Sequence, residues 1–196
     1  LRREKGSLLG KEIFSLGFYA GQDASPNNYK KAYEKYEAML EEENPDNPFV
    51  LQRCPLCATP IIPKIRSENR KDYGINCTDI SFRFNCPLTS CDLHNHIPIS
   101  VIDEDLYAHP PSFLLGTIDK FARLAWDHRA KNIFCSKKTR APSLIIQDEL
   151  HLISGQLGTI AGIYEAAIDI IINSKGIKPK YIAATLVVLS TSLLKL

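Results

Sequence analysis

The sequence predicts an α/β fold: a partial parallel sheet with flanking helices, joined to a small β-rich module organised by cysteines. Three observations lead there. In residues 106–196, short apolar runs alternate with amphipathic stretches, the pattern of a parallel sheet covered by helices. In residues 51–105 that pattern gives way to short alternations such as SFRF and IPISVI, and five of the six cysteines lie there. The composition, 44% apolar and 23% charged over 196 residues, is that of a globular chain. Three segments follow: 1–50 as the first part of the α/β domain, 51–105 as a cysteine-rich insertion, and 106–196 as the remaining α/β core.

EIFSLGFYAG (12–21) is dense in aromatic and aliphatic residues and ends in glycine, so it is expected as a buried strand. DASPNN makes the turn. Tyr29, Ala32, Tyr33, Tyr36 and Leu40 then recur at helical spacing, with Asn27 or Asn28 available as the cap. NPDNP (44–48) ends that helix. Beyond residue 106, SFLLGT is a short apolar strand, and TIDKFARLAWDHRA sets Ile118, Phe121, Ala122 and Ala125 on one helical face. A polar, basic connection leads to the apolar run SLIIQD. Ile160, Ile163, Tyr164, Ala167, Ile168 and Ile171 mark a long helix, with Gly176 as its stop, and KYIAAT begins a third strand.

Several function classes fall away on bulk properties. A net charge of +2 does not describe a strongly basic nucleic-acid binder, although a local patch is compatible with it. No apolar run reaches the length of a membrane span, so no membrane partner is expected. LRREKGSLLG carries charge without a following apolar region, unlike a secretory signal. The Cys-x-x-Cys spacing favours metal thiolates over disulfides, and with them a reducing, cytoplasmic compartment.

Cys54-x2-Cys57 and Cys86-x4-Cys91 form two short-spaced pairs separated by 28 residues. Tetrahedral Zn²⁺ takes four soft ligands converging on one point, and two such knuckles supply them. Cys77 and His94 are rival ligands, because the second pair is more loosely spaced; His96 is a weaker rival. Four thiolates leave no open coordination position, so the expected role is to staple a segment rather than to catalyse. Arg53, Lys64, Arg66, Arg70, Lys71 and Arg83 give the module a basic surface, which solvated charge explains as well as nucleic-acid contact does. Cys135 stands apart as a bystander thiol.

The stretch PSLIIQDELHLISG sets Asp148, Glu149 and His151 directly behind an apolar strand. Charge so close to a core is costly unless solvated, paired or metal-bound. In open α/β sheets ligands bind outside the carboxyl ends of the strands. An Asp there holds Mg²⁺ largely through water, and a neighbouring carboxylate orients or deprotonates an attacking water in phosphoryl transfer. This is a Walker-B arrangement, with Asp148 and Glu149 as the candidate Mg²⁺ and ATP residues.

QDELH resembles the DEAH and DExH boxes of superfamily 2 helicases, and two further segments fit in order. LLGTIDKFARL is similar to the strand–Thr–helix segment that lies along the nucleic-acid backbone, pointing to Thr117 and Lys120; Thr117 at a helix start offers a hydroxyl and a backbone N–H to a phosphate. YIAAT resembles the motif that couples hydrolysis to the nucleic-acid grip, pointing to Thr185 beside His151 or Glu149. With EIFSLGFYAGQDASPN, CPLC and SLIIQDELHLISGQLGTIAGIYE, these segments resemble the helicase-like proteins of DISARM anti-phage systems from about residue 12 to residue 185. The resemblance implies a RecA-like first domain with a zinc-ribbon-like cysteine insertion, ATP-dependent translocation on DNA, and partners among the remainder of the helicase and other defence proteins. The residues do not separate DNA from RNA.

The pattern also departs from that family. No Gly-x-x-x-x-Gly-Lys-Ser/Thr occurs in the sequence, and after Thr185 it turns apolar as LVVLSTSLLKL. The sequence therefore reads as an internal fragment, or as a degenerate or truncated gene product, not expected to hydrolyse ATP by itself. The alternative from a different class is a non-enzymatic zinc-binding module that contacts nucleic acid or protein.

Overall fold

The computed structural model describes residues 13–21, 24–134, 140–149, 155–174 and 176–184. The chain divides into two compact units between Arg123 and Leu124. It is a mixed α/β protein with separate pieces of parallel sheet.

In the first unit, strand β1 (Leu16–Tyr19) lies between β4 (Ile99–Ser100) and β5 (Phe113–Gly116), and both pairings are parallel. The register runs Leu16↔Ile99 on one side and Leu16↔Phe113 to Tyr19↔Gly116 on the other. The central strand requires Gly17, where a Cβ would stand 2.5 Å from Pro111 Cγ and 2.7 Å from Leu106 Cδ2. Helix α1 (Tyr29–Glu41) begins at Asn28, whose Oδ1 accepts the Lys31 N–H at 2.9 Å. It buries Ala32, Tyr36 and Met39 and closes where the Glu42 N–H reaches Met39 O.

The cysteine segment contains an antiparallel hairpin, β2 (Ile75–Thr78) and β3 (Ser81–Phe84). It does not have a core to itself. Ala32, Tyr36 and Met39 of α1 belong to the same buried cluster as Phe49, Ile61, Tyr73, Ile75, Phe84, Ile97, Val101, Ile102 and four of the cysteines. Phe49, Phe82 and Phe84 add a ring cluster with centroids 4.8–6.2 Å apart. The segment, expected to be held by something other than a large core, shares apolar packing that continues from the helix into the cysteines.

Helix α2 (Asp103–Ala108) joins β4 to β5. The α-helix expected after Thr117 is instead a 3-10 helix, Ile118–Ala125, followed by a second one at His128–Ile133. The Lys120 N–H bonds to Thr117 O at 3.1 Å. At three residues per turn, Lys120 and Arg123 fall on one side, and Lys120 is drawn inward to 5% exposure.

The second unit contains a β–α–β passage: β6 (Leu144–Gln147), α3 (Gly155–Asn173) and β7 (Lys180–Ala183). The strands pair in parallel from Leu144↔Lys180 to Gln147↔Ala183, which demands a crossover such as α3 supplies. The helix buries Ala161, Ile168 and Ile172. Gly176, at φ +71°, turns the chain back, its N–H bonded to Asn173 O. Tyr181 donates to Asp169 Oδ1 at 3.1 Å, and Gln147 Nε2 donates to Glu165, so two polar bonds tie the helix to both strands. Leu144, Ile146 and Ile182 remain 46–54% exposed, so these strands are not the fully buried ones that their composition predicts. Among the described residues no helix is long and apolar enough to cross a membrane.

Candidate functional site

The cysteine cluster is the most completely assembled site. One sulfur each from Cys54, Cys57, Cys86 and Cys91 lies within 4.8 Å of the others. The Cys57–Cys86 and Cys54–Cys91 separations are 3.5 and 3.8 Å. Tetrahedral zinc with Zn–S bonds of about 2.3 Å needs sulfurs about 3.8 Å apart, so the cluster has the dimensions to hold such an ion. Local backbone forms each knuckle. Ala58 adopts φ 59° and returns its N–H to Cys54 O at 2.9 Å, while the Cys54 N–H bonds to Thr59 O at 2.8 Å. In the second knuckle the Cys91 N–H bonds to Leu88 O and the Cys86 N–H to Leu93 O, both at 3.0 Å.

The thiols are unequal. Hydrogen bonding to Thr59 lowers the exposed Cys57 thiol to about 6, and burial pushes Cys86 up to about 12. A cation is the natural compensation for several thiolates this close together. Of the rival ligands, Cys77 lies outside the cluster with its sulfur 3.8 Å from Thr78 O, and burial raises its thiol to about 12. His94 has its Nδ1 2.8 Å from Cys86 O rather than among the sulfurs.

Asp148 and Glu149 are exposed, immediately beyond β6. The Glu149 N–H bonds to Asp148 Oδ1 at 2.9 Å, and Glu149 holds φ 53°. A left-handed glutamate costs about 1–2 kcal/mol, and such strain concentrates at ligand-binding turns. The Ala184 N–H bonds to Gln147 O at 2.8 Å, so β6 and β7 end side by side at their carboxyl ends. His151 and Thr185 lie outside the described residues, as does Cys135.

Thr117 and Lys120 differ from one another. Thr117 is exposed, but its backbone N–H is taken by Tyr19 O at 3.1 Å, so only its hydroxyl remains for a phosphate. The Lys120 ammonium faces the interior: Nζ is 2.9 Å from Asp103 Oδ2, 3.3 Å from Asn27 Oδ1 and 3.4 Å from Ser25 O, and it sits 5.2 Å over the Tyr19 ring. Ser25 Oγ shares its single hydroxyl hydrogen between Val101 O at 2.8 Å and Asp103 Oδ1 at 3.1 Å. Asp103 is fully buried. Burial raises its pKa, against the opposing pull of Lys120, Ser25 and Arg123. In this conformation Lys120 is a core residue at the carboxyl end of the parallel sheet, its ammonium engaged by Asp103, Asn27 and Ser25. Sequence reasoning missed Asp103 and Ser25; an acidic residue opening a helix and a serine in a turn carry no signal of a partner 95 positions away, the separation of Lys120 from Ser25.

No protein-family model matches the chain. It is 32% identical over 230 aligned residues to the DISARM protein DrmA of Bacillus paralicheniformis. The alignment takes in 93% of this chain and 20% of that protein, so the chain spans about one fifth of its relative's length.

Proposed function

We propose that this chain is a zinc-stapled section of a DrmA-type protein acting in DISARM anti-phage defence. In this reading it carries the Walker-B half of a RecA-like, nucleic-acid-dependent ATPase core. The relationship to DrmA over nearly the whole chain supports the defence role. The observation that carries the ATPase reading is the strand end itself: exposed Asp148 and left-handed Glu149 follow β6 where the parallel strand β7 also ends. The half-exposed apolar residues of β6 and β7 are compatible with a larger parallel sheet, because such strands are normally covered on both faces.

Asp148 would take the water shell of Mg²⁺, and Glu149 would orient the attacking water and accept its proton. Mg²⁺ and ATP supply the charge neutralisation and the transferred phosphoryl group. Thr185 and His151 would couple that site to the nucleic acid, which the Thr117 hydroxyl would contact. Cys54, Cys57, Cys86 and Cys91 would hold Zn²⁺ in a closed structural site. In a full-length DrmA-type protein carrying this sequence, Glu149→Gln should lower nucleic-acid-stimulated ATP hydrolysis by about 10²–10⁴-fold while nucleotide still binds. Unchanged turnover would sink the ATPase reading.

The cysteine geometry favours a second reading, a zinc-binding interaction module without chemistry of its own. Under it, Glu149→Gln leaves defence intact and loss of a cysteine ligand abolishes it.

A further inference from the structure

The two knuckles open alike, as Cys54-Pro55-Leu56 and Cys86-Pro87-Leu88, but the second has two extra residues before its second cysteine. The backbone bonds record that insertion: the Cys54 N–H closes on Thr59 O, and the Cys86 N–H closes on the more distant Leu93 O. In the first knuckle the carbonyl of the leading cysteine is satisfied from within, by the Ala58 N–H at 2.9 Å. In the second, the carbonyl of Cys86 receives an imidazole, with His94 Nδ1 2.8 Å away. The other donor, Asn85 Nδ2, is at a marginal 3.5 Å. His94 is itself locked to the knuckle, its own N–H bonded to Cys91 O at 2.9 Å. It thus bridges the backbones of both cysteines that the longer loop holds apart.

We propose that His94 is the positioning residue of the metal centre: by donating Nδ1–H to Cys86 O it replaces the backbone donor used in the first knuckle and lets a Cys-x4-Cys loop present its sulfurs as a Cys-x2-Cys loop does. The inference rests on the zinc reading above. A carbonyl oxygen accepts only from a protonated nitrogen, so Nδ1 carries the hydrogen and is not a metal ligand. Groups that orient ligands in this way typically contribute 10–100-fold to metal affinity.

The test measures Zn²⁺ affinity by competition with a chromophoric chelator, and Co²⁺ absorption as a report on the ligand set. His94→Ala should weaken Zn²⁺ binding about 10–100-fold while the Co²⁺ thiolate charge-transfer spectrum stays that of four sulfurs. His94→Asn, whose Nδ2–H sits where Nδ1–H does, should recover most of the affinity. An unchanged affinity in His94→Ala overturns the proposal. So does a Co²⁺ spectrum that shows nitrogen ligation in the wild type and loses it in the variant, since His94 would then be a ligand. Should His94→Ala not fold, His94→Asn decides alone: near wild-type affinity supports the positioning role and weakened binding refutes it. A wild-type protein that takes up no Zn²⁺ or Co²⁺ overturns the zinc reading together with the proposal, whereas metal binding indifferent to His94 overturns the proposal only.

Discussion

Replacing Lys120 by methionine separates a core role from a surface role. The chain keeps a side chain of similar length and loses the ammonium that stands 2.9 Å from Asp103, a carboxylate with no exposure at all. Removing one partner of a buried pair leaves an uncompensated charge and costs about 3–5 kcal/mol. Ser25 Oγ still donates to Asp103, which favours the lower part of that range. At about 4 °C per kcal/mol for a unit of this size, the melting temperature should fall by roughly 12–16 °C. The deficit should also depend on pH in a stated direction. Burial raises the Asp103 pKa, and the variant loses one of the groups opposing that rise. A folded-state pKa above the unfolded value of about 3.9 means that the native state binds the proton more tightly. The variant's deficit is therefore full above the folded pKa and shrinks as pH falls through it. Asp103→Leu combined with Lys120→Met should be less damaging than Lys120→Met alone, because no charge is then stranded. The assay is thermal or urea unfolding across pH, with nucleic-acid binding measured alongside. A loss under about 0.5 kcal/mol, typical of surface sites, accompanied by weakened nucleic-acid binding, would refute the burial of Lys120 and restore it to the phosphate-contacting role.

Cys54→Ser should abolish stoichiometric Zn²⁺ uptake and unfold much of the first unit, because Cys54, Cys86 and Cys91 of the cluster belong to its continuous core; Cys77→Ser should retain the metal, and plasma emission spectrometry with circular dichroism distinguishes them. Gly17→Ala forces a methyl group to within 2.5 Å of Pro111 and should cost about 1–3 kcal/mol in denaturant titration; a neutral effect would mean that the β1–α2 packing is looser than described. Asn28→Ala removes the α1 cap and should cost about 1 kcal/mol, a loss that Asn28→Asp should largely avoid.

What was legible in the sequence is what local chemistry dictates. The α1 stripe and its Asn28 cap, the stop at Gly176 and the pairing of two cysteine knuckles all depend on spacing within a few residues, and spacing is visible in one dimension. The choice between Asn27 and Asn28 needed coordinates, and Asn27 proves to be engaged with Lys120 instead. The 3-10 geometry after Thr117 was hidden for a different reason. The apolar residues Ile118, Phe121, Ala122 and Ala125 fit an α-helix as well, and what accompanies the tighter winding is the burial of a lysine against Asp103, a tertiary event that outweighs local propensity. His94 shows the same limit. Its nearness to the second knuckle made it a rival ligand by composition, and only the direction of Nδ1 toward a carbonyl separates supporting a ligand from being one.

Two places in the chain present nearly the same sequence signal, an apolar strand running into consecutive acids: ISVIDED leading to Asp103 and LIIQDE leading to Asp148 and Glu149. Both acidic stretches stand just beyond parallel strands, and the cost of charge beside a core applies to both. The structure resolves that cost in opposite ways. Asp103 has lost all contact with solvent and is compensated internally by Lys120 and Ser25, leaving little capacity for a ligand. Asp148 and Glu149 keep their exposure, and the backbone carries a left-handed residue at the same point. Asp103 is spent on contacts within its own protein, whereas Asp148 stays in solvent at a strand end, where the proposed Mg²⁺ role needs it. The proposed ATPase reading relies on that difference in exposure when it takes Asp148, rather than Asp103, as its metal-facing carboxylate, a choice that the motif alone could not justify.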